Sequence, residues 1–98
     1  MKTFEVEVSP AAVVDLEDIW FFIAEENPVA ASRVVNDLKQ RILSLGILPE
    51  RAQLRPDIAP NARCLIQGNY LVVYEVIDAR VEVVRVTHGA IDLSKLYA

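Results

Sequence analysis

Residues Arg63–Gly89 read RCLIQ-GN-YLVVYEVI-DAR-VEVVRVTHG, and this stretch decides the fold. β-branched and aromatic residues fill three short runs, with Gly68-Asn69 and Asp78-Ala79-Arg80 between them as turn signals. Three strands joined this way form an antiparallel meander. Pairing across the second turn puts Tyr70, Val72, Tyr74, Val76, Val84 and Val86 on one face, and Leu71, Val73, Glu75, Ile77, Val81, Val83 and Arg85 on the other. Both faces are apolar. One is expected to pack on the rest of the chain; the other asks for a second cover, for which an outside hydrophobic peptide is a candidate.

Upstream of the meander the period changes. TFEVEV alternates Phe4, Val6 and Val8 with Glu5 and Glu7, the pattern of a half-buried strand. Ser9-Pro10 then supplies an N-cap and a first-turn proline for a helix through about Glu26, with an apolar stripe of Leu16, Ile19, Trp20 and Ile23. Asn27-Pro28 repeats the signal for a second helix, which carries Ala31, Val35, Leu38, Ile42 and Leu45 on one stripe, and Gly46 is placed to end it in a left-handed cap. So short a junction implies an antiparallel hairpin. Residues 47–62 hold Pro49, Pro56 and Pro60 without clear periodicity, a long connection stiffened by proline. The expected architecture is α+β in two layers: an N-terminal strand, a helical hairpin, then the meander, all in one domain over residues 1–98.

Composition narrows the function. Apolar residues make up 53% of the 98, which in so small a domain leaves hydrophobic surface for a partner to cover. The single cysteine, Cys64, has no disulfide mate and no metal-ligand companions, so neither a metal nor a cofactor is expected and the reading is cytoplasmic. No apolar run reaches the roughly 20 residues of a membrane span, and MKTFEVEVSP lacks a signal-peptide core. Residues 1–62 hold six Lys/Arg against ten Asp/Glu, whereas residues 63–98 hold four of each, so direct binding of free nucleic acid is not expected. Phe22 shares a helix face with Asp15, Asp18, Glu25 and Glu26. It either caps a neighbouring element of its own fold or anchors a partner.

The N-terminal strand, Ser9-Pro10, DLEDI, Asn27-Pro28 with Ala30-Ala31, GNYLVVYEV and above all VVRVTHGAIDL resemble the RelE/ParE superfamily of bacterial toxins, over essentially the whole chain. The resemblance implies the toxin half of a type II toxin–antitoxin pair. It also implies a cognate antitoxin that wraps the toxin in a hetero-oligomer, a heterotetramer or larger, and would cover the apolar surface. Phe21, Phe22, Leu71, Val73 and Val83 are the expected antitoxin contacts, with Trp20 placed in the core by periodicity.

Two branches of the superfamily differ in chemistry. RelE-like members are ribosome-dependent ribonucleases that use clustered cations and a C-terminal tyrosine, whereas ParE-like members bind DNA gyrase and trap its cleavage complex. The strand arginine that RelE-like nucleases carry after the tyrosine of "GY" aligns with Leu71, and their C-terminal arginine with Ile91. Tyr97 stands at the terminal tyrosine. The resemblance therefore implies a ParE-like gyrase inhibitor without catalytic residues. Arg63, Arg85, His88 and Lys95 are its candidate target contacts, and Arg85, His88 and Tyr97 would be the catalytic set if the chain were a ribonuclease. His88 could act as a general base or shape the end of its strand. Arg85 could meet the target, meet an antitoxin carboxylate, or pair with Glu75 across its own sheet.

Overall fold

The computed structural model describes residues 3–89. Strand β1 (Glu5–Val8) leads into helices α1 (Pro10–Ala24) and α2 (Pro28–Ser44), then a one-turn 3₁₀ helix (Pro49–Arg51), and strands β2 (Arg63–Gln67), β3 (Tyr70–Ile77) and β4 (Arg80–His88). The strands form one sheet in the order β1-β4-β3-β2. β2, β3 and β4 are the antiparallel meander, and β1 lies parallel to β4 with Val6 opposite Val81 and Val8 opposite Val83. Sequence reading defines β1 as a strand but not its neighbour.

Both helix starts form as their residues dictate. Ser9 Oγ accepts from Ala12 N at 3.1 Å and Asn27 Oδ1 accepts from Ala30 N at 3.0 Å, each followed by proline at the first helical position. The α2 stripe of Ala31, Val35, Leu38, Ile42 and Leu45 is buried throughout. Leu38, Ile42 and Leu45 join Ala12, Leu16 and the inner sheet residues Val72, Tyr74, Val81, Val83 and Val86 around the core. Gly46 does not take the left-handed conformation; among the described residues that role falls to Gly68 (φ 60°), Asp78 (φ 55°) and Leu48 (φ 51°). What Gly46 supplies is room. Phe4 N donates to Gly46 O at 2.7 Å, and a Cβ at Gly46 would lie 2.9 Å from Phe4 O.

The meander register departs from the expected one in two linked ways. Asp78-Ala79 is a two-residue turn, because Arg80 already pairs with Ile77. That single-residue difference turns Val81 and Val83 inward, beside Val76 and Tyr74. A bulge at Val84 then restores the alternation, so that Val73 pairs with Arg85 and Val72 with Val86. The bulge is pinned from the β1 side: Ser9 N donates to Val83 O at 3.0 Å, and Ser9 Oγ donates to Val84 O at 2.7 Å.

The long connection supplies part of the second cover from within the chain. Ile58 and Ala62 pack on Val73, with Ala59 and Cys64 at the edge of this smaller cluster. The connection is held by Arg55 N donating to Ala62 O at 2.7 Å and by the buried Pro49, whose carbonyl accepts from Tyr74 Oη at 2.6 Å. An outside peptide is therefore not needed over Val73. Farther out on the same face Ile66 remains 68% exposed.

Candidate functional site

An apolar concavity lies between the two helices. It has a volume of about 540 Å³ and runs from Val8 of β1 past Val13, Leu16, Trp20 and Phe21 of α1 to Val35, Ile42 and Leu43 of α2. Helical spacing explains it. Val13, Glu17, Trp20 and Phe21 form a second stripe on α1 beside the buried one, as Val35, Lys39, Ile42 and Leu43 do on α2. Trp20 is half-buried on the groove wall rather than in the core, where its Nε1 donates to Ser32 Oγ at 3.2 Å and ties α1 to α2. The Phe21 ring meets it edge-on at 5.3 Å and is 65% exposed. So large an aromatic left in water beside an apolar trough is a surface suited to a partner's apolar helix.

Phe22, at 77% exposure, points elsewhere. It borders a second, smaller cleft with Asp18, Ile19, Tyr70 and His88, where α1 meets the ends of β3 and β4. The two adjacent phenylalanines thus serve different surfaces. Of the other expected antitoxin contacts, Leu71 is half-buried, whereas Val73 and Val83 are 0% exposed and offer no surface to any partner. Val83 is spent in the main core and Val73 beneath Ile58 and Ala62.

Two of the candidate target contacts, Arg85 and Arg63, are engaged inside the chain. Arg85 forms a fork with Asp15, Nε and Nη2 donating to the two carboxylate oxygens at 2.7 and 2.8 Å. Hydrogen bonding to Asp15 raises the Arg85 pKa above its ordinary value, so its charge is fixed. Asp15 Oδ2 also accepts from Val86 N at 2.9 Å, taking over the free edge of β4 where β1 has ended. None of the three roles expected for Arg85 names this partner. Arg63 donates from Nη1 to the Glu50 and Ala52 carbonyls at 3.0 and 2.6 Å, with Nη2 3.8 Å from the Glu50 carboxylate. It clasps the long connection to β2. His88 is exposed at the end of β4, its ring edge-on to Tyr70 at 5.7 Å. Ile91, Lys95 and Tyr97 lie outside the described residues.

Burial pushes the thiol of Cys64 above its ordinary value, which makes it a poor nucleophile. Among the described residues no group of three or more His, Cys, Asp and Glu side chains is placed to hold a metal ion, and no helix is long and apolar enough to cross a membrane.

Residues 6–93 match the family model described as the ParE toxin of type II toxin–antitoxin system, parDE. The chain belongs to this family. Within the wider RelE/ParE superfamily, it is 34% identical over 79 residues to a protein named Toxin RelE2 from Caulobacter vibrioides, a match covering 81% of this chain and 88% of that one. Solved structures share the fold. A chain of the chromosomal ParDE TA system from P. aeruginosa superposes with a TM-score of 0.77 at 18% identity, over 90% of this chain and 98% of that chain. E. coli toxin RelE in the free state, as a double mutant, gives 0.68 at 21% identity over 97% and 90%. The toxin–antitoxin complex RelBE2 from Mycobacterium tuberculosis gives 0.68 at 22% identity over 90% and 93%. The ParE family α+β architecture, two helices over a four-stranded mixed sheet, is the one seen here.

Proposed function

We propose that this type II toxin inhibits DNA gyrase by trapping its cleavage complex, and that a cognate antitoxin silences it by occupying the α1–α2 groove. The observation that carries the reading is the state of the sheet arginines. Arg63, Arg80 and Arg85 each face a carboxylate of their own chain, Glu50 at 3.8 Å, Glu7 at 3.7 Å and Asp15 at 2.7 Å, and the described strands contain no lysine. Phosphoryl transfer draws its rate from cations free to meet the developing charge. A sheet on which Arg85 is locked to Asp15, and Arg63 and Arg80 stand near carboxylates of the chain, suits protein binding better than RNA cleavage. The partner reading is supported by relatives whose names describe toxin–antitoxin assemblies, ParDE and RelBE2. The assembly is proposed as a cytoplasmic hetero-oligomer, a heterotetramer or larger, with His88 a contact for the target.

The test uses purified toxin freed of antitoxin, with gyrase, plasmid DNA and ATP, scored for lost supercoiling and for linear DNA released by detergent. Accumulation of linear DNA is expected. Normal supercoiling by gyrase in the presence of folded toxin would overturn the reading. Ribosome-dependent cleavage of mRNA, the reading favoured by the name of the RelE2 relative, would then be tested by toeprinting on translating ribosomes.

A further inference from the structure

We propose that the α1–α2 groove fixes the direction in which its partner helix lies, through opposite charge on its two walls; this rests on the groove being the antitoxin site. The α1 segment Pro10–Ala24 carries Asp15, Glu17 and Asp18 and no base, whereas the α2 segment Pro28–Ser44 carries Arg33, Lys39 and Arg41 against Asp37. Glu17 and Lys39 themselves line the trough, one on each wall. Asp15 is committed to Arg85, but Glu17, Asp18, Arg33, Lys39 and Arg41 make no ion pair among the described residues. Asp18 and Arg41 border other clefts, so the charges that face the trough are Glu17 on the α1 wall and Lys39 on the α2 wall, with the apolar floor between them.

A helix seated on this floor turns its apolar stripe down and shows one flank to each wall. Turning it end for end exchanges those flanks. A partner helix with basic residues on one flank and acidic residues on the other therefore matches the walls in one direction and meets like charge in the reverse. The apolar floor supplies the affinity, and the walls supply direction and discrimination between partners. The occupant so defined is an amphipathic helix, basic along the flank that faces α1 and acidic along the flank that faces α2.

Two stapled helical peptides of about 15 residues, long enough to cover the groove, test this. They share one apolar stripe, have their Arg and Glu flanks exchanged, and each carry a nitroxide at the N-terminus. Exchanging the flanks is equivalent to reversing the helix, so the two are expected to seat on the full chain in opposite directions. At low salt one broadens the amide signals of Val13 and Leu43 at one end of the groove and the other broadens those of Trp20 and Val35 at its far end, a contrast that fades as salt screens the exposed walls. The double variant Glu17→Lys/Lys39→Glu, checked for folding by circular dichroism, is expected to reverse both seatings. The same seating for the two peptides, or no preferred seating, would overturn the directional rule and leave the groove reading standing. Unreversed seating in the folded double variant would also overturn the rule. Failure of both peptides to bind would overturn the rule and the groove reading together.

Discussion

Asp15 and Arg85, 70 residues apart in sequence, close a two-bonded fork between α1 and β4 at 2.7 and 2.8 Å, and the same carboxylate holds Val86 N. One side chain thus satisfies a cation and finishes a strand edge that β1 leaves unpaired. Asp15→Ala is expected to cost about 2–4 kcal/mol, because it strands a partly buried guanidinium and a backbone N–H together. Asp15→Asn, which keeps an acceptor, should cost less. Urea unfolding of the two variants, together with Arg85→Gln and the double variants, measures the coupling. A loss under about 0.5 kcal/mol for Asp15→Ala would mean that solvent screens the pair as at an ordinary surface site.

Ser9 joins two structures with one hydroxyl, accepting from Ala12 N and donating to Val84 O. Ser9→Ala removes the helix cap and the brace on the bulge, and is expected to cost about 1–2 kcal/mol. Ser9→Thr, with the hydroxyl retained, should restore most of that stability. Thermal melts of the pair decide it.

Tyr74 is fully buried, and burial is the largest cause of its raised pKa. The unfolded phenol titrates near its ordinary value of about 10, whereas the folded one keeps its proton to higher pH. Between those values the folded state binds the extra proton, so stability falls as pH rises through that window. Cys64, also raised by burial, adds a decline beginning near its ordinary value of about 8.5. Tyr74→Phe should cost about 1 kcal/mol at neutral pH through the lost bond to the Pro49 carbonyl, and should flatten the alkaline decline above pH ~10. Denaturation midpoints between neutral and strongly alkaline pH test this, and an unchanged slope in the variant would contradict it.

Phe21 and Phe22 differ in what they border, so their alanine variants should separate. Both side chains are largely exposed, and both variants should keep the native melting temperature within a few degrees. Phe21→Ala is expected to weaken antitoxin binding by about 2–3 kcal/mol, since its ring lies against Trp20 on the groove wall. Phe22→Ala should weaken it by less than about 1 kcal/mol. Isothermal titration with the cognate antitoxin checks the order, and a larger loss at Phe22 would move the interface to the cleft beside Tyr70 and His88.

Much of the fold was legible because local chemistry and tertiary context agree. Ser9-Pro10 and Asn27-Pro28 start helices, four apolar residues of α2 and its C-cap Leu45 are buried, and Gly68-Asn69 turns β2 into β3. The sheet register was not legible, since it depends on whether Arg80 belongs to a turn or to β4, and no period distinguishes those in a run as apolar as VEVV. The bulge at Val84 depends on Ser9, 75 residues away, and no local pattern carries that information. Gly46 looked like a helix cap but serves a close approach of Phe4, a contact that exists only once the chain has folded. At the candidate site Phe21, expected from the resemblance as an antitoxin contact, is exposed, whereas the groove was not legible: its walls are secondary stripes, and they converge only when the helices are side by side.

The placement of β4 between β1 and β3 bears on how the toxin is made. A nascent chain still lacking Arg80–His88 has synthesised both helices, yet has no strand to which β1 can attach. Closing contacts over so long a separation is slow and requires the chain to have been made through β4. Copies terminated before Arg80 therefore lack the central seam of the sheet, and the fold can assemble only once β4 has been made.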